Sequence, residues 1–310
     1  MSLPFDYHQL RPGEFGGTSP TGTGFANARV VILPIPLDRT TSYVPGTRNG
    51  PHAILVASSH LEWWDEETGT DVHSVGIFTM PEMEFPFATM DEVVAEIRRV
   101  ASELVTRDKF LVALGGEHAI TAPLVAAAVA RYPGLSVLQI DAHADLRDTY
   151  MGTKHSHACT MRRVVERARC AQVGIRSLSP DEAHDVPSLP TTIFYDFNMR
   201  RDPDWIDRVV ASLSETVYIT IDVDGFDPAI MPATGTPEPG GLSWYEALTL
   251  LRKVIEQRTV VGCDVVELSP IPGNIAPNFM CAKLIYKILS YRFGAEGPLS
   301  PARPLDARSS

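Results

Sequence analysis

Asp141, His143 and Asp145 stand two residues apart in VLQIDAHADLRD (137–148), at the point where a mostly apolar run stops. Carboxylates and imidazoles in alternation can hold a divalent cation or move protons. The arrangement recurs elsewhere in the chain. FLVALGG (110–116) runs into Glu117 and His118. TVYITIDV (216–223) brings Asp222 and Asp224, with Asp227 after them, and TVVGCDVVEL (259–268) brings Glu267. KHSHACTMRR carries His155 and His157.

Each of these has an ordinary role when taken alone. His118 can cap a helix, D-x-H-x-D can be a solvated loop, and Asp222 with Asp224 can be turn residues accepting backbone N–H groups. Four carboxylates (Asp141, Asp145, Asp222, Asp224) and two imidazoles (His118, His143) meeting on one rim are another matter. The acids would repel one another and raise each other's pKa. A bound cation removes that conflict. Six ligands exceed one tetrahedral zinc, and no cysteine is among them. Oxygen-rich ligation with two imidazoles suits manganese, with cobalt, nickel or ferrous iron as substitutes. Two ions sharing bridging carboxylates would lie about 3.5–4 Å apart, and a water between them would lose a proton near neutral pH.

Such convergence needs a scaffold that brings strand ends together. Short apolar runs at 29–36, 73–80, 110–116, 135–141, 170–176, 191–197, 216–223 and 259–268 read as strands, several of them continuous Val/Ile/Leu stretches. Helical spacing of apolar residues predicts helices over 90–107, 121–132, 160–169, 204–213, 243–258 and 278–293. Pro51, after Asn49-Gly50, fits the first turn of another helix over 51–61. The alternation predicts an α/β fold, a three-layer αβα arrangement with a mostly parallel sheet of about eight strands. Ligands in such folds bind beyond the carboxyl ends of the strands, where these acids and imidazoles fall. Residues 1–28 read as an irregular arm, 29–294 as a single catalytic domain and 295–310 as a C-terminal tail.

The 310 residues are 44% hydrophobic and 21% charged, a globular composition. A net charge of −11 with no basic block makes nucleic acid and anionic membranes poor partners, and mildly favours a cationic small molecule. No 18-residue apolar run is present, so no membrane span is expected. The N-terminus lacks a basic stretch followed by an apolar one, so no secretory signal is expected. Cys159, Cys170, Cys263 and Cys281 form no CxxC pair and read as buried free thiols of a reducing cytoplasm.

GGEHAI (115–120), DAHADLRD (141–148), SHACTMRR (156–163), DVDGFDPAIMPATGTPEPGG (222–241) and VVELSP (265–270) together resemble the successive motifs of the ureohydrolase family, arginases and agmatinases, in their bacterial agmatinase form. TTSYVPGTRNGPHAI (40–54) and AKLIYKIL (282–289) are similar too, so the resemblance covers about residues 30–292. It implies two Mn2+ per subunit. One would be held by His118, Asp141, Asp145 and Asp222, the other by Asp141, His143, Asp222 and Asp224, with Asp141 and Asp222 bridging. It places His157 as the proton-transfer residue and Glu267 against the substrate guanidinium, with Asp145 orienting the nucleophile. Asp227 matches a non-ligand that fixes its loop. It also implies a cytoplasmic homo-oligomer, trimer or hexamer, that hydrolyses agmatine to putrescine and urea.

There are departures. GGEH stands for the commoner GGDH, and GPHAIL lacks an arginine often found after that turn. Residues 146–155 do not match the loop by which arginases grip an amino-acid head group, which disfavours arginine. Guanidinobutyrate or another guanidino acid, with its anionic tail, would want Arg147, Lys154 or Arg48 in the pocket, and guanidine itself is a further alternative. A two-metal phosphoesterase would carry Gly-Asp and Gly-Asn-His runs that do not occur. A metal-binding protein without turnover keeps no support, since every expected residue is present. His155 competes with His157 only by proximity, and His52, His60 and His73 read as structural or exposed. HLEWWDEETG (60–69) reads either as an oligomer contact or channel wall, or as buried tryptophan beside an acidic turn.

Overall fold

The computed structural model describes residues 13–17, 24–86 and 88–294. The 295–310 tail and most of the 1–28 arm lie outside them. The described part of the arm has no helix or strand, yet Phe15 and Phe25 are buried in the core.

In chain order the elements are β1 (Val30–Ile35), α1 (Gly50–Ser58), β2 (Trp64–Asp65), β3 (Thr70–Asp71), β4 (Ile77–Thr79), α2 (Met90–Val105), β5 (Phe110–Gly115), α3 (Thr121–Arg131), β6 (Ser136–Ile140), α4 (Thr160–Val165), β7 (Arg169–Ile175), α5 (Pro180–Asp185), β8 (Thr191–Tyr195), α6 (Asp196–Met199), α7 (Trp205–Ser212), β9 (Thr216–Asp222), α8 (Trp244–Gln257), β10 (Thr259–Val266) and α9 (Ala276–Phe293). Eight strands form one sheet in the order β4-β1-β5-β10-β9-β6-β7-β8. Every pairing in it is parallel.

Alternate strand residues feed two cores. Val30 and Ile32 of β1 pack with α1, α8 and α9, whereas Val31, Leu33 and Ile35 pack with α2, α3 and α4. A strand covered on both faces must be apolar throughout, which explains the unbroken Val/Ile/Leu runs. Helix starts are fixed locally: Thr89 and Glu92 form a capping box on α2, as do Ser243 and Glu246 on α8.

The expected helices and strands form, with three differences. The strand expected over 73–80 is only Ile77–Thr79, because Asp71 caps a 3-10 turn at Val72–Val75 and Gly76, at φ 82°, turns the chain. The helix expected over 160–169 stops at Val165, since Arg169 already pairs with Ser136 in the sheet. The helix expected over 51–61 stops at Ser58. The short helices α5 and α6 and the β2–β3 hairpin carry no strong periodicity and were not expected. No described helix is long and apolar enough to cross a membrane. All four cysteines are free and buried.

The 60–69 segment supplies β2 and the turn of the β2–β3 hairpin, which docks on α9. Trp63 stacks on His73, while Trp64 is exposed. Asp65 is fully buried and its Oδ2 lies 2.9 Å from Nζ of Lys287, itself 2% exposed; Glu66 and Glu67 share the same ammonium. Removing one member of a buried pair leaves the other charge uncompensated. Lys287→Met should therefore lower the unfolding free energy by about 3–5 kcal/mol. Urea denaturation monitored by circular dichroism reads this, and an unchanged midpoint would contradict it.

Candidate metal centre

The four central neighbours β5, β10, β9 and β6 end on one rim, and the predicted residues leave from their carboxyl ends. β5 leads to His118, β6 to Asp141, β9 ends in Asp222, and β10 leads to Glu267. β5 and β6 lie on opposite sides of the β10–β9 pair, a switch point at which the loops diverge and leave a crevice.

His118, Asp141 and Asp145 form one group with ligand atoms close enough to share an ion, and Asp141, His143 and Asp224 form a second. Asp141 belongs to both. His118 Nδ1 lies 3.2 Å from Asp141 Oδ2, 3.1 Å from Asp145 Oδ2 and 3.3 Å from Asp222 Oδ2. His143 Nδ1 lies 2.9 Å from Asp224 Oδ2 and 3.7 Å from Asp141 Oδ1. All six side chains predicted as ligands are thus together.

Two of these acids divide their oxygens. Asp222 Oδ1 accepts from Asp224 N at 2.9 Å, and Asp224 Oδ1 accepts from Ala142 N at 3.0 Å, so each keeps Oδ2 for the cluster. Asp145 and Glu267 adopt left-handed backbone, φ 52° and 65°, which side-chain-bearing residues rarely do. Such strain persists only where surrounding structure holds it and gathers at functional sites. Gly225 is required here, because a Cβ would stand 2.7 Å from Asp141 N and force the two ligand loops apart.

Beneath the cluster one register row of the sheet is polar: Gln172, Gln139, Thr220 and Asp264 sit side by side across β7, β6, β9 and β10. Gln139 donates to Asp141 Oδ2 at 2.6 Å. Thr220 donates to Asp264 Oδ1 at 2.6 Å, so its oxygen must accept from His118 Nε2, 3.0 Å away. The neutral ring therefore carries its lone pair on Nδ1, which is fully buried and has no hydrogen-bond partner among the described residues. A buried imidazole nitrogen aimed at three carboxylates, with its other nitrogen held by the surroundings, is how a metal ligand is oriented. The residues fit a divalent ion.

The charge balance agrees. Burial works against protonation of both imidazoles, yet the acids prevail. Asp141, Asp145 and Asp222 hold His118 well above an ordinary histidine, and Asp224 with Asp141 pushes His143 up to about 12. Burial and the neighbouring acids raise Asp222 well above the carboxylate range and Asp145 to about 6. Both imidazoles of chelator-treated protein therefore carry protons at pH 7, and an incoming ion must displace them. Loading with Mn2+ should release about two to three protons per subunit at pH 7, from the two imidazoles and Asp222, and apparent affinity should rise with pH. Titration in weakly buffered solution with an indicator dye reads the release, and no release would contradict this charge balance.

A cavity of about 250 Å3 opens over the cluster, lined by His143, Asp145, Asp222, Asp224, His157 and Glu267 among others. Glu267 Oε1 accepts from His118 N at 2.6 Å. Burial first, then the nearby acids Glu117 and Asp224, raises its pKa well above the usual range. His157 is half-buried; loss of solvent first, then the nearby imidazoles His118 and His143, lowers its pKa to about 4, so it is neutral at pH 7. His155 turns away and pairs with Asp91 of α2 at 2.9 Å. Asp227 accepts from Ala229 N at 2.8 Å and belongs to neither ligand group. Arg147 lines the cavity, whereas Arg48 pairs with Asp38.

Several residues of the site were not singled out from sequence: Thr40, Ser42, Tyr150, Arg176, Thr220 and Asp264. Arg176 ties the ligand loop to the 236–241 loop, donating to the carbonyls of Asp224 at 2.6 Å, Glu238 at 3.0 Å and Pro239 at 3.1 Å.

Compared with known proteins, residues 28–290 match the model of the arginase family. The chain is 42% identical over 277 residues to the N(1)-aminopropylagmatine ureohydrolase of Synechocystis sp., covering 87% of this chain and 90% of that protein. It is 33% identical over 273 residues to the agmatinase of Pyrococcus horikoshii, covering 85% and 92%. Among solved structures, the agmatine ureohydrolase of Thermoplasma volcanium superposes with a TM-score of 0.81 at 32% identity, covering 89% of this chain and 94% of that one.

Proposed function

Since the chain belongs to the arginase family and is a hydrolase acting on guanidino C–N bonds, we propose that it cleaves urea from an amine-tailed guanidine: agmatine, giving putrescine, or its N1-aminopropyl derivative, giving the longer polyamine. The observation that carries this reading is the meeting of two imidazoles and four carboxylates under a cavity that also holds Glu267 and His157. The names of the relatives supply the two candidate substrates.

In this reading the ions are manganese. His118, Asp141, Asp145 and Asp222 would hold one, and Asp141, His143, Asp222 and Asp224 the other. When bound, the pair supplies a nucleophile of hydroxide strength at neutral pH and Lewis acidity toward developing charge. Glu267, ionised by its cationic partner, pairs with the planar guanidinium and holds its carbon in place. Asp145 orients the attacking water through a hydrogen bond. Neutral His157 takes up a proton and delivers it to the departing amine. The catalytic domain is 29–294, and the enzyme works in the cytoplasm as a homo-oligomer, trimer or hexamer.

One observation favours a second reading. Arg147 lines the cavity, its Nε 3.8 Å from Glu182, and a cation there suits the anionic tail of a guanidino acid. Urea release by manganese-loaded protein on agmatine, N1-aminopropylagmatine, guanidinobutyrate and arginine decides. The proposal expects the amine-tailed pair to have the highest kcat/KM. Preference for guanidinobutyrate would replace it with the second reading.

A further inference from the structure

We infer that Glu117 and Thr40 lock His157 in the tautomer that carries its proton on Nδ1 and offers the Nε2 lone pair on the side of Ser42. Glu117 is fully buried, and both of its oxygens accept hydrogen bonds. Oε2 accepts from Arg39 N at 2.7 Å and Thr40 N at 2.6 Å, and Oε1 accepts from Thr40 Oγ1 at 2.9 Å. A threonine hydroxyl has one hydrogen, and this one is committed to the carboxylate. Toward every other neighbour Thr40 Oγ1 is an acceptor. It already accepts from His157 N at 3.0 Å, and His157 Nδ1 stands 3.3 Å away. A lone pair on Nδ1 would face the oxygen's lone pairs, whereas a proton there completes a hydrogen bond.

The remaining contacts are compatible and do not decide. Ser156 Oγ is also 3.3 Å from Nδ1, but its hydroxyl rotates and serves either tautomer. On the other side of the ring, Ser42 Oγ lies 3.2 Å from Nε2 and 3.5 Å from the Tyr150 hydroxyl; both hydroxyls rotate, so with Tyr150 donating to Ser42 the serine hydrogen is free for Nε2, and Ser42, Tyr150 and His157 all line the cavity. Glu117 and Thr40 are therefore positioning residues. They stand to His157 as an orienting acid stands to a general base, with a hydroxyl interposed. The relevance to turnover rests on the reading of His157 as the proton-transfer group; the tautomer does not.

Glu117→Gln is the informative substitution. Two backbone N–H groups hold the amide oxygen at the Oε2 position, so the NH2 group falls opposite Thr40 Oγ1 and donates to it. The threonine hydrogen is then free to point at Nδ1, and the ring proton moves to Nε2. The test is 15N chemical-shift measurement of the histidine ring nitrogens in the full-length protein loaded with zinc, which is diamagnetic. The His157 signals are assigned by their loss in His157→Asn. The inference expects a protonated-type Nδ1 and an unprotonated-type Nε2 in the native protein, in Thr40→Ser and in Ser156→Ala, and the reverse in Glu117→Gln. With manganese, Glu117→Gln should lower kcat by about 10- to 100-fold at unchanged metal content. A native spectrum with the proton on Nε2 overturns the inference, even if Glu117→Gln fails to fold. An unchanged His157 pattern in a folded Glu117→Gln also overturns it. If the shifts behave as expected while His157→Asn turns over normally, the tautomer stands and the proton-transfer role of His157 falls.

Discussion

Asp141→Asn should leave the protein without either ion and cut urea release by roughly 10^4- to 10^6-fold, the range from losing one supporting acid to losing a whole catalytic unit. Asp141 is the residue common to both ligand groups, fully buried between His118 and His143. An asparagine keeps the size and one acceptor, so His143 N, now 2.6 Å from Oδ1, retains its partner. The amide nitrogen meets the donor Nε2 of Gln139, a mismatch of about 1–3 kcal/mol unless that side chain flips. The fold should survive this, since the substitution also removes one of the crowded negative charges. His143→Ala makes the contrast: His143 belongs to one group only, so one ion should remain. Metal analysis after gel filtration reads both variants. Full stoichiometry in Asp141→Asn would contradict the sharing of this carboxylate.

Glu267→Gln should behave in the opposite way, with metal content intact and turnover reduced by about 10^2- to 10^3-fold. A charge-assisted pair with a guanidinium is among the stronger polar contacts, and losing one partner of a buried ion pair costs about 3–5 kcal/mol, of which solvent access to the cavity returns a part. The glutamine oxygen can still accept from His118 N, so the neighbouring ligand stays in place. Steady-state kinetics on agmatine beside metal analysis separates this from Asp141→Asn. A normal rate would remove Glu267 from the substrate site.

The legible part of the site was the part that chemistry places at strand ends. Asp141, His143 and Asp145 follow β6 directly, Asp222 ends β9, and each interrupts an apolar run that a buried parallel strand requires. What sequence did not show is the layer that acts across long separations. Glu117 and Thr40 are 77 residues apart, and Thr121, whose hydroxyl donates to Asp264 Oδ1 at 3.0 Å, is 143 residues from it, so no local spacing links them. A signal was present for part of that layer. Gln139, Gln172, Thr220 and Asp264 are polar residues inside otherwise apolar strands, and buried polar groups must find partners. Placing them in one row needed the sheet register. The 73–80 strand was overread because Val75 and Ile77 flank Gly76, whose positive φ breaks the extension that their types favour.

The central claim is tested most directly by diffraction from a manganese-grown crystal at the manganese absorption edge. The anomalous map should show two peaks per subunit about 3.5–4 Å apart. One should lie against His118 and Asp145, the other against His143 and Asp224, with Asp141 reaching both. A single peak, or manganese bound elsewhere while the six side chains stay paired with one another, would contradict it.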